Sequence, residues 1–580
     1  MSASHSGLPD LRDTVLVAEQ LGGLPIINCV IERIGLEALL ERFIPHADRR
    51  VRLPHAKALG VVIRNLVLQH APLYALHEWA RSFDAALLGL TPAERTLLND
   101  DRVGRALEHL FHADRGSLLT RLVLDAVRVF DVDLAQFHND STSITFAGAY
   151  VHADGRAKSG RDTLSIKHGH NKDARPDLKQ LLWILTVSAD GAVPIAYRAM
   201  AGNTSDAVTH IRSWEELVAL TGRRDFMYVA DVKLATRPNM THIHKGGGRF
   251  ISVLAANRKE DALFRDWIVT HEPEWVFAQR QSSRYPDAPD DVWHTTEAPW
   301  PSAEGYRVIW VRSSAKRERD AKQRQQAIHD GIHALDALNA KLASPRSRIK
   351  SQQAAHDAAA AALKAARASR YLSVTIESNT LETVRQEKRG RPSQHTRYRK
   401  ITRDTFSIRA HLNDDTIERD AASDGCWPLI TNDRTLTGAE VLAAYKYQPN
   451  LEKRHAQLKG THHVTPVFLR DPGRIEAILF CHFTALLIQA LIERDIRDRM
   501  RERGLQQLSM YPEDRACAAP TTRRILDIFR DLTRHHIQDQ HGNTLKTFHP
   551  EPNELQTQIL DLLNIPTTTY NPTTTYNPTT

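Results

Sequence analysis

The chain has 580 residues, of which 41% are hydrophobic and 25% are charged, and this is the composition of a soluble globular protein with several domains. The net charge of +8 and the pI of about 9.2 favour an anionic partner such as nucleic acid, although a generally basic protein has the same balance. The four cysteines show no paired spacing, so they indicate neither a disulfide framework nor a zinc site and fit a reducing cytoplasm.

Residues 1–125 are predicted to be helical. Pro54 precedes a segment with apolar residues at helical spacing, and Asn99 or Asp100 can cap a later periodic segment. A small helical unit of this kind suits a DNA-binding domain of the helix-turn-helix type. A helical scaffold that packs on the core fits the same residues equally well.

From about residue 130 the pattern changes to short strands. Leu134–Gly148 is predicted as a strand, a turn and a strand, with Asp140 where the first strand ends, and Asp190-Gly191 is predicted as a hairpin turn. A second apolar strand ends at Asp231, whereas Asp225 precedes that strand and is the weaker candidate. A carboxylate at a strand end can be a metal ligand, but it is also a common turn residue.

The region between these strands and residue 424 has two distinctive segments. Ala315–Arg370 is rich in alanine and long side chains, so it predicts two helices folded as a hairpin and interrupted at Ser344-Pro345. Gln386–Lys400 is the densest basic segment and predicts a hairpin loop on DNA phosphates. Its arginines around Gly390 also match a minor-groove pattern, and a solvated loop remains open. The candidate DNA contacts there are Lys388, Arg389, Arg391, Arg397 and Arg399.

Four residues of the segment 435–460 share one face of a predicted helix, namely Tyr445, Gln448, Glu452 and Lys459. A carboxylate between a phenol and an ammonium suits metal-assisted chemistry on a phosphate, although the spacing alone favours a solvated amphipathic helix. Pro449 disfavours helix at the residue before it, so the helix is expected to kink or to begin afresh with Pro449 in its first turn. The apolar run Ile475–Ile492 contains a Glu, a His and a Gln, and it predicts a buried core helix rather than a membrane span.

Together with the strand DGCWPLITN before this segment and with Asp140-Ser141-Thr142, these residues resemble the DDE transposases of bacterial insertion sequences, in the insertion-sequence-four group and its relatives. The signature of that group is Tyr, two residues, Arg, three residues, Glu, six residues and Lys. Tyr445, Glu452 and Lys459 match it in register, and Gln448 stands where the family has Arg. The resemblance covers about residues 90 to 495.

The resemblance implies an α/β fold, with an RNase H-like mixed sheet core and flanking helices, interrupted by a large inserted domain and preceded by an N-terminal helical domain. The expected N-terminal domain, 1–125, is helical and binds terminal repeats, and residues 501–565 are expected to form a helical C-terminal region followed by a disordered repeat tail at 566–580. The catalytic core is expected in two parts, 130–258 and 425–500. The inserted domain, 259–424, lies between them and contains the hairpin 315–370 and the basic segment 386–400.

For function, the resemblance implies a DNA transposase that cleaves at element ends and transfers the 3′-OH ends to target DNA by a two-metal mechanism. Asp140, Asp231 and Glu452 would be catalytic and would bind two Mg²⁺, for which Mn²⁺ can substitute, while Tyr445, Gln448 and Lys459 would contact DNA. The expected partners are double-stranded DNA, as terminal inverted repeats and as target, and a second copy of the chain when DNA is bound. A prokaryotic cytoplasm with nucleoid association and no membrane is expected.

Two alternatives remain open at this point. Gln448 and Pro449 keep open a catalytically impaired DNA-binding protein that derives from a transposase. A nuclease with the same core but without strand transfer is the other. If Gln448 only weakens the enzyme, Gln448→Arg is expected to raise its activity.

Overall fold

The computed structural model describes residues 14–46, 48, 50–68, 71–158, 160–283, 287–344, 346–464 and 469–572. The chain forms two compact units, the first made of Met1–Phe250 with Tyr445–Thr580 and the second of Ile251–Ala444. The second unit therefore contains the predicted insertion, 259–424, and extends beyond it on both sides. In particular, the strand at 426–431, which was expected in the catalytic core, belongs to the second unit.

The bounds of the elements are as follows. The helices are α1 (Leu24–Arg33), α2 (Leu36–Phe43), α3 (His55–Leu68), α4 (Leu76–Arg81), α5 (Pro92–Leu97), α6 (Asp100–His112), α7 (Arg115–Phe130), α8 (His210–Thr221), α9 (Arg237–Lys245), α10 (Lys259–Thr270), α11 (Ser314–Ala343), α12 (Gln352–Ala365), α13 (Asp414–Ala422), α14 (Gly438–Tyr445), α15 (Gln448–Ala456), α16 (Pro472–Glu502), α17 (Thr522–Ile528) and α18 (Glu554–Leu562). The strands are β1 (Val15–Gln20), β2 (Gln136–Phe146), β3 (Lys179–Ser188), β4 (Pro194–Ala201), β5 (Met227–Ala230), β6 (Arg249–Val253), β7 (Val276–Gln281), β8 (Asp291–Glu297), β9 (Arg307–Ser313), β10 (Leu372–Gln386), β11 (Tyr398–Leu412), β12 (Cys426–Thr431), β13 (Leu508–Ser509), β14 (Ala516–Cys517), β15 (Thr533–Gln538) and β16 (Thr544–Phe548).

Helix α16 forms the core of the first unit. Its most apolar window is 94% buried, although by length and composition alone the helix could cross a membrane. Gln489 donates a hydrogen bond to the Val67 carbonyl of α3 at 3.2 Å, and the Phe483 ring stacks on Tyr197 of β4 at 4.9 Å. The interpretation of Ile475–Ile492 as a buried core helix is therefore confirmed.

The N-terminal residues are helical in α1–α7, and Asn99 caps α6 by accepting a hydrogen bond from the Arg102 amide at 2.9 Å. They belong to the same compact unit as the strands β2–β5 that follow them. Strand β1 pairs with β15, and Arg33 forms a 2.8 Å ion pair with Asp495 of α16. These contacts make the N-terminal helices part of the scaffold around α16.

Two expectations about the C-terminal region are wrong. Residues 501–565 are not only helical, because β15 pairs with both β1 and β16. In the repeat tail, residues 566–572 are ordered, since the Tyr570 ring is fully buried 5.5 Å from Phe529 and its hydroxyl donates to the Gly22 carbonyl at 2.8 Å. A single aromatic ring anchors this part of a polar repeat, while residues 573–580 lie outside the described residues.

The sheet of the first unit has the strand order β4-β3-β2-β5, with β2 antiparallel to β3 and parallel to β5. The predicted turn within 134–148 is wrong, because β3 pairs with β2 continuously from Phe137 to Phe146 and holds the segment extended. The predicted turn between β3 and β4 is present, and Gly191 there takes a φ of +73° that suits glycine. The chain is thus mixed α/β, with a mixed sheet in this unit.

The second unit has the strand order β6-β12-β9-β8-β7 and a separate two-stranded sheet of β10 and β11. Residues 315–370, for which composition predicts a helical hairpin, contain α11 and α12, and Pro345 lies outside the described residues. Both helices pack on the base of the β10–β11 pair through a buried cluster that includes Leu335, Ala359, Phe406 and Ile408.

Candidate active site

Asp140 and Asp231 lie at the same level of two neighbouring parallel strands. The last registered pair of β2 and β5 is Asn139 with Ala230, and each aspartate is the next residue in its chain. Neighbouring strands lie about 4.8 Å apart, so this register brings the two carboxylates to one edge of the parallel pair. Asp231 follows its strand as predicted, whereas Asp140 lies in the middle of β2 rather than at a strand end.

Helix α15 lies over the face of β2 that carries Asp140. Residues two apart in a strand share a face, so His138 and Asp140 point the same way. Gln448 in the first turn of α15 accepts a hydrogen bond from His138 at 2.8 Å and donates one to the Asn139 carbonyl at 3.3 Å. Glu452 follows one turn later on the same helix and is exposed to solvent.

Arg454 fixes the other side of α15. Its guanidinium donates to the carbonyls of Gly191 and Ala192 in the β3–β4 turn and to Glu493 of α16, at 2.9, 3.0 and 2.8 Å. Arg454 and Glu493 are each only 4% exposed. A buried ion pair with this many hydrogen bonds sets the position of α15, and therefore of Glu452, on the sheet.

The three carboxylates act on a single phenol. Burial, and after it the negative charges of Asp231, Glu452 and Asp140 in that order, together raise the pKa of Tyr445 to about 12. Tyr445 is therefore a neutral hydroxyl at neutral pH.

Two lysines place positive charge beside these carboxylates. The Lys172 ammonium donates to the Ser141 carbonyl at 2.6 Å and lies 3.6 Å from Asp140 Oδ1. The Lys459 ammonium pairs with Asp173 at 2.5 Å. Lys459 lies in a π-helical turn, residues 457–461, which follows α15. Because a π-helical turn shifts the following residues around the helix axis, Lys459 does not continue the face of α15 that carries Glu452. Its position is set by the ion pair with Asp173.

Gln448 is buried against β2 and is not exposed for contact with DNA. Its side chain is 7% exposed, and both of its polar ends bond to β2. Pro449 lies in the first turn of α15, so the helix begins afresh there, which is one of the two outcomes that its ring predicts. The sequence prediction that Gln448 contacts DNA is corrected by this burial.

His455 belongs to the site, and sequence reasoning missed it. Its Nε2 lies 3.8 Å from Asp140 Oδ2, three residues after Glu452 on α15. Burial lowers the pKa of His455 to about 3, with Lys172 and Lys459 contributing in the same direction. The available signal was its spacing from Glu452, since residues three apart share a helical face.

The basic segment forms the end of the β10–β11 hairpin in the second unit. Its five candidate side chains are all exposed, and they are Lys388, Arg389, Arg391, Arg397 and Arg399. The predicted hairpin loop is therefore present, and its contact with DNA stays a prediction.

The donor set of the site is one of hard oxygens. Asp140, Asp231 and Glu452 supply carboxylates, which are ligands for Mg²⁺ or Mn²⁺. Among the described residues, no group of three or more His, Cys, Asp or Glu side chains is spaced to hold a metal ion. Mg²⁺ at phosphate sites commonly takes one or two carboxylates and completes its shell with substrate oxygens and water, so the residues fit ions that bind together with a phosphate.

Comparison with known proteins gives a family match and a structural likeness. Residues 16–124 match a family model described as a domain of unknown function (DUF4277). No curated protein matches the chain. A solved structure, the cryo-EM structure of the piggyBac transposase synaptic complex with hairpin DNA, aligns with 8% identity and a TM-score of 0.36 over 87% of this chain and 79% of that chain. A TM-score this low does not establish a common fold.

Proposed function

We propose that this protein is a DNA transposase of the DDE type, which cleaves phosphodiester bonds at element ends and joins the freed 3′-OH ends to target DNA. The observation that carries the proposal is the register that sets Asp140 of β2 beside Asp231 after β5, with α15, which carries Glu452, anchored on β2 by Gln448. Three carboxylates close to one another repel, and cations together with a phosphodiester relieve that repulsion.

The catalytic metals of the proposal are two Mg²⁺ ions, for which Mn²⁺ can substitute, held by the three carboxylates. Bound there, they would activate a hydroxyl nucleophile and stabilise the leaving oxygen in an in-line displacement. Asp140 and Asp231 would contribute from neighbouring strands, and Glu452 from α15, the helix that Gln448 anchors on β2.

The remaining polar residues bind and orient the phosphodiester. Tyr445 stays protonated near neutral pH, so it can donate a hydrogen bond to a phosphate oxygen without adding negative charge. Lys172 and Lys459 supply positive charge at the carboxylate cluster, and Asp173 holds Lys459 in place. These roles depend on charge and hydrogen bonding and not on a covalent protein–DNA intermediate.

The proposal includes an RNase H-like core for the first unit. Three antiparallel strands in the order β4-β3-β2, followed by the parallel strand β5, support it, because such a core makes the two strands that carry aspartates neighbours. The helix that carries Glu452 is anchored on β2, the strand of the first aspartate. The second unit is then the insertion between the second aspartate and the glutamate.

The impaired DNA-binding protein is the weaker alternative on these contacts. Gln448 and Pro449 kept it open, but Gln448 bonds to β2 and Pro449 begins α15, so neither one replaces a group that faces the phosphate. A nuclease without strand transfer uses the same site, and only the fate of the 3′-OH separates it from a transposase. The partners of the proposal are element ends, target duplex and a second copy of the chain, in a prokaryotic cytoplasm at the nucleoid and away from membranes.

A cleavage assay on the DNA that flanks the gene tests the proposal. The duplexes are incubated with Mg²⁺ or Mn²⁺, with and without a target plasmid, and both nicking and joining are followed. Asp140→Asn, Asp231→Asn and Glu452→Gln are each expected to abolish cleavage and to retain duplex binding. Asp225→Asn is the matched control, because that carboxylate pairs with Arg223 on the surface.

Each result of this assay decides between the candidates. Joined products support the transposase, whereas cleavage without joining supports the nuclease. Full cleavage by any one of the three carboxylate variants, or loss of activity in Asp225→Asn to the same degree, contradicts the assignment of the site.

A further inference from the structure

The outer half of the β10–β11 hairpin is exposed on both faces, apart from Arg403, which donates a hydrogen bond to the Ser344 carbonyl at 3.1 Å. The two strands pair over 15 residues each, from Leu372 with Leu412 to Gln386 with Tyr398. The base packs on α11 and α12, but from the pair Thr380–Asp404 outward no side chain on either face is buried. We call this part, residues 380–386 and 398–404, the outer ribbon.

An isolated two-stranded ribbon is marginally stable in water, and this one also exposes large apolar side chains. Leu381, Val384 and Tyr398 are 53%, 66% and 53% exposed. Seven residues per strand at about 3.3 Å each extend the pair by roughly 23 Å beyond its packed base. A partner that covers the outer ribbon best explains why its apolar side chains are exposed.

The charge of the outer ribbon and its loop identifies that partner as an anion. Residues 385–400 contain seven basic side chains and one acidic side chain. Arg385 and Arg399 are direct cross-strand partners, and like charges in that position repel and destabilise the pair. A polyanion placed between or beside the two guanidinium groups removes this repulsion.

The two faces of the outer ribbon differ in charge. Within the outer ribbon, Arg385 and Arg399 share their face with Thr383 and Ile401, and Glu387, two residues after Arg385, is the nearest carboxylate along that strand. The opposite face carries Asp404 and also Glu382, which forms an ion pair with Lys400. The arginine face is therefore the more positively charged of the two.

We propose that the outer ribbon enters the major groove of duplex DNA with its arginine face toward the bases, while the cations of the loop contact the phosphates on both sides. The major groove accepts a two-stranded ribbon, and an arginine there can bond to O6 and N7 of a guanine through two N–H groups. The inference takes duplex DNA as the partner from the proposed function, but it needs no cleavage to be true.

The test measures binding and groove contact with the full chain. A variant that carries Arg385→Ala and Arg399→Ala is titrated with a fluorescent 30-base-pair duplex pool of random sequence and with the DNA that flanks the gene. Its affinity is expected to fall at least about tenfold, because one bidentate arginine–guanine contact is worth roughly that factor. Lys364→Ala, which removes an exposed lysine of α12, is the control and should bind as the natural protein does.

Two further variants and one chemical probe make the test specific for the groove. Arg385→Lys with Arg399→Lys keeps the charge, so the dependence of affinity on salt should stay while discrimination between sequences falls. Replacing the loop cations Lys388, Arg389, Arg391 and Arg397 by Ala should lower the log–log salt slope by about 0.9 for each lost phosphate contact. Methylation of guanine N7 should interfere with binding of the natural protein.

The outcomes that overturn the inference are distinct from those that overturn the proposed function. The inference is contradicted if the double Ala variant keeps both its affinity for DNA and its thermal stability. It is also contradicted if methylation interferes at adenine N3 of the minor groove instead of guanine N7, or if single-stranded DNA binds as tightly as the duplex. If the double Ala variant cleaves and binds DNA normally, the proposed function stands and the role of the outer ribbon is contradicted. If the natural protein contacts the groove but cleaves no DNA, the role of the outer ribbon stands and the proposed function is contradicted.

Discussion

Replacing Gln448 by Arg tests whether the departure from the family signature is a defect of the site or a part of its scaffold. Gln136 donates its amide N–H to Nε2 of His138 at 2.8 Å, so His138 carries its proton on Nδ1 and donates it to Gln448. Burial lowers the pKa of His138 to about 4, and the ring is neutral at neutral pH. An arginine at position 448 offers this donor no acceptor and adds a buried positive charge.

The size of the effect follows from these two losses. A buried donor left without an acceptor costs about 1–3 kcal/mol, and an unpaired buried guanidinium costs several kcal/mol more. We therefore expect Gln448→Arg to destabilise the first unit by at least about 3 kcal/mol, which for a unit of this size corresponds to a fall in the thermal midpoint of roughly 4 °C. Activity should fall with it, contrary to the increase that the family signature alone predicts.

Thermal unfolding followed by circular dichroism, together with the cleavage assay, measures both consequences. Gln448→Met removes the hydrogen bonds without adding charge and should cost only about 1–3 kcal/mol. Ala456→Arg places the same new side chain on the exposed face of α15 and should change the midpoint little. A Gln448→Arg protein that is as stable as the natural one and cleaves faster would refute the reasoning.

Three other perturbations have outcomes fixed by single contacts. Arg454→Ala leaves the buried Glu493 with only its longer ion pair to Arg497 and should cost about 3–5 kcal/mol in thermal or urea unfolding. Arg497→Ala removes that more exposed contact at 3.6 Å and should cost less. The Arg258 guanidinium lowers the pKa of Glu260 from its ordinary 4.5 to about 2, so about 3 kcal/mol of stability should be present above pH 4.5 and be lost as the pH falls to about 2. Glu260→Gln should lack that slope in the pH dependence of the unfolding midpoint. Tyr570→Ala should lower the free energy of unfolding by about 3 kcal/mol, and Tyr570→Phe by about 1 kcal/mol, which a flexible tail would not show.

Local sequence patterns predicted most of the elements, because helices, caps and strands depend on near neighbours. Asn99 caps α6, Pro449 begins α15, and the apolar strand β5 ends at Asp231. The failures concern contacts between distant segments. No local pattern shows that β1 pairs with β15 or that Tyr570 is buried, since those contacts join the two ends of the chain.

The site was predicted in part for the same reason. Residue types and order pointed to Asp140, Asp231 and Glu452, but the turn assigned after Asp140 ignored the partner strand β3, which holds the segment extended. Gln448 was assigned to DNA because spacing alone cannot tell a buried face of a helix from an exposed one. His455 was missed because its importance lies in a 3.8 Å approach to a residue more than 300 positions earlier.

The spacing of the signature is therefore not the spacing of one helical face. The chain ends α14 at Tyr445, begins α15 at Gln448, and passes into a π-helical turn before Lys459, so the signature crosses two changes of helical phase. Tyr445 still comes under the charge of all three carboxylates, and Lys459 still pairs with Asp173 near them. What keeps these residues together is the anchoring of α15 by Gln448 on β2 and by Arg454 on the β3–β4 turn and α16. A substitution that breaks either anchor should consequently disturb Glu452 without touching any atom of the proposed chemistry.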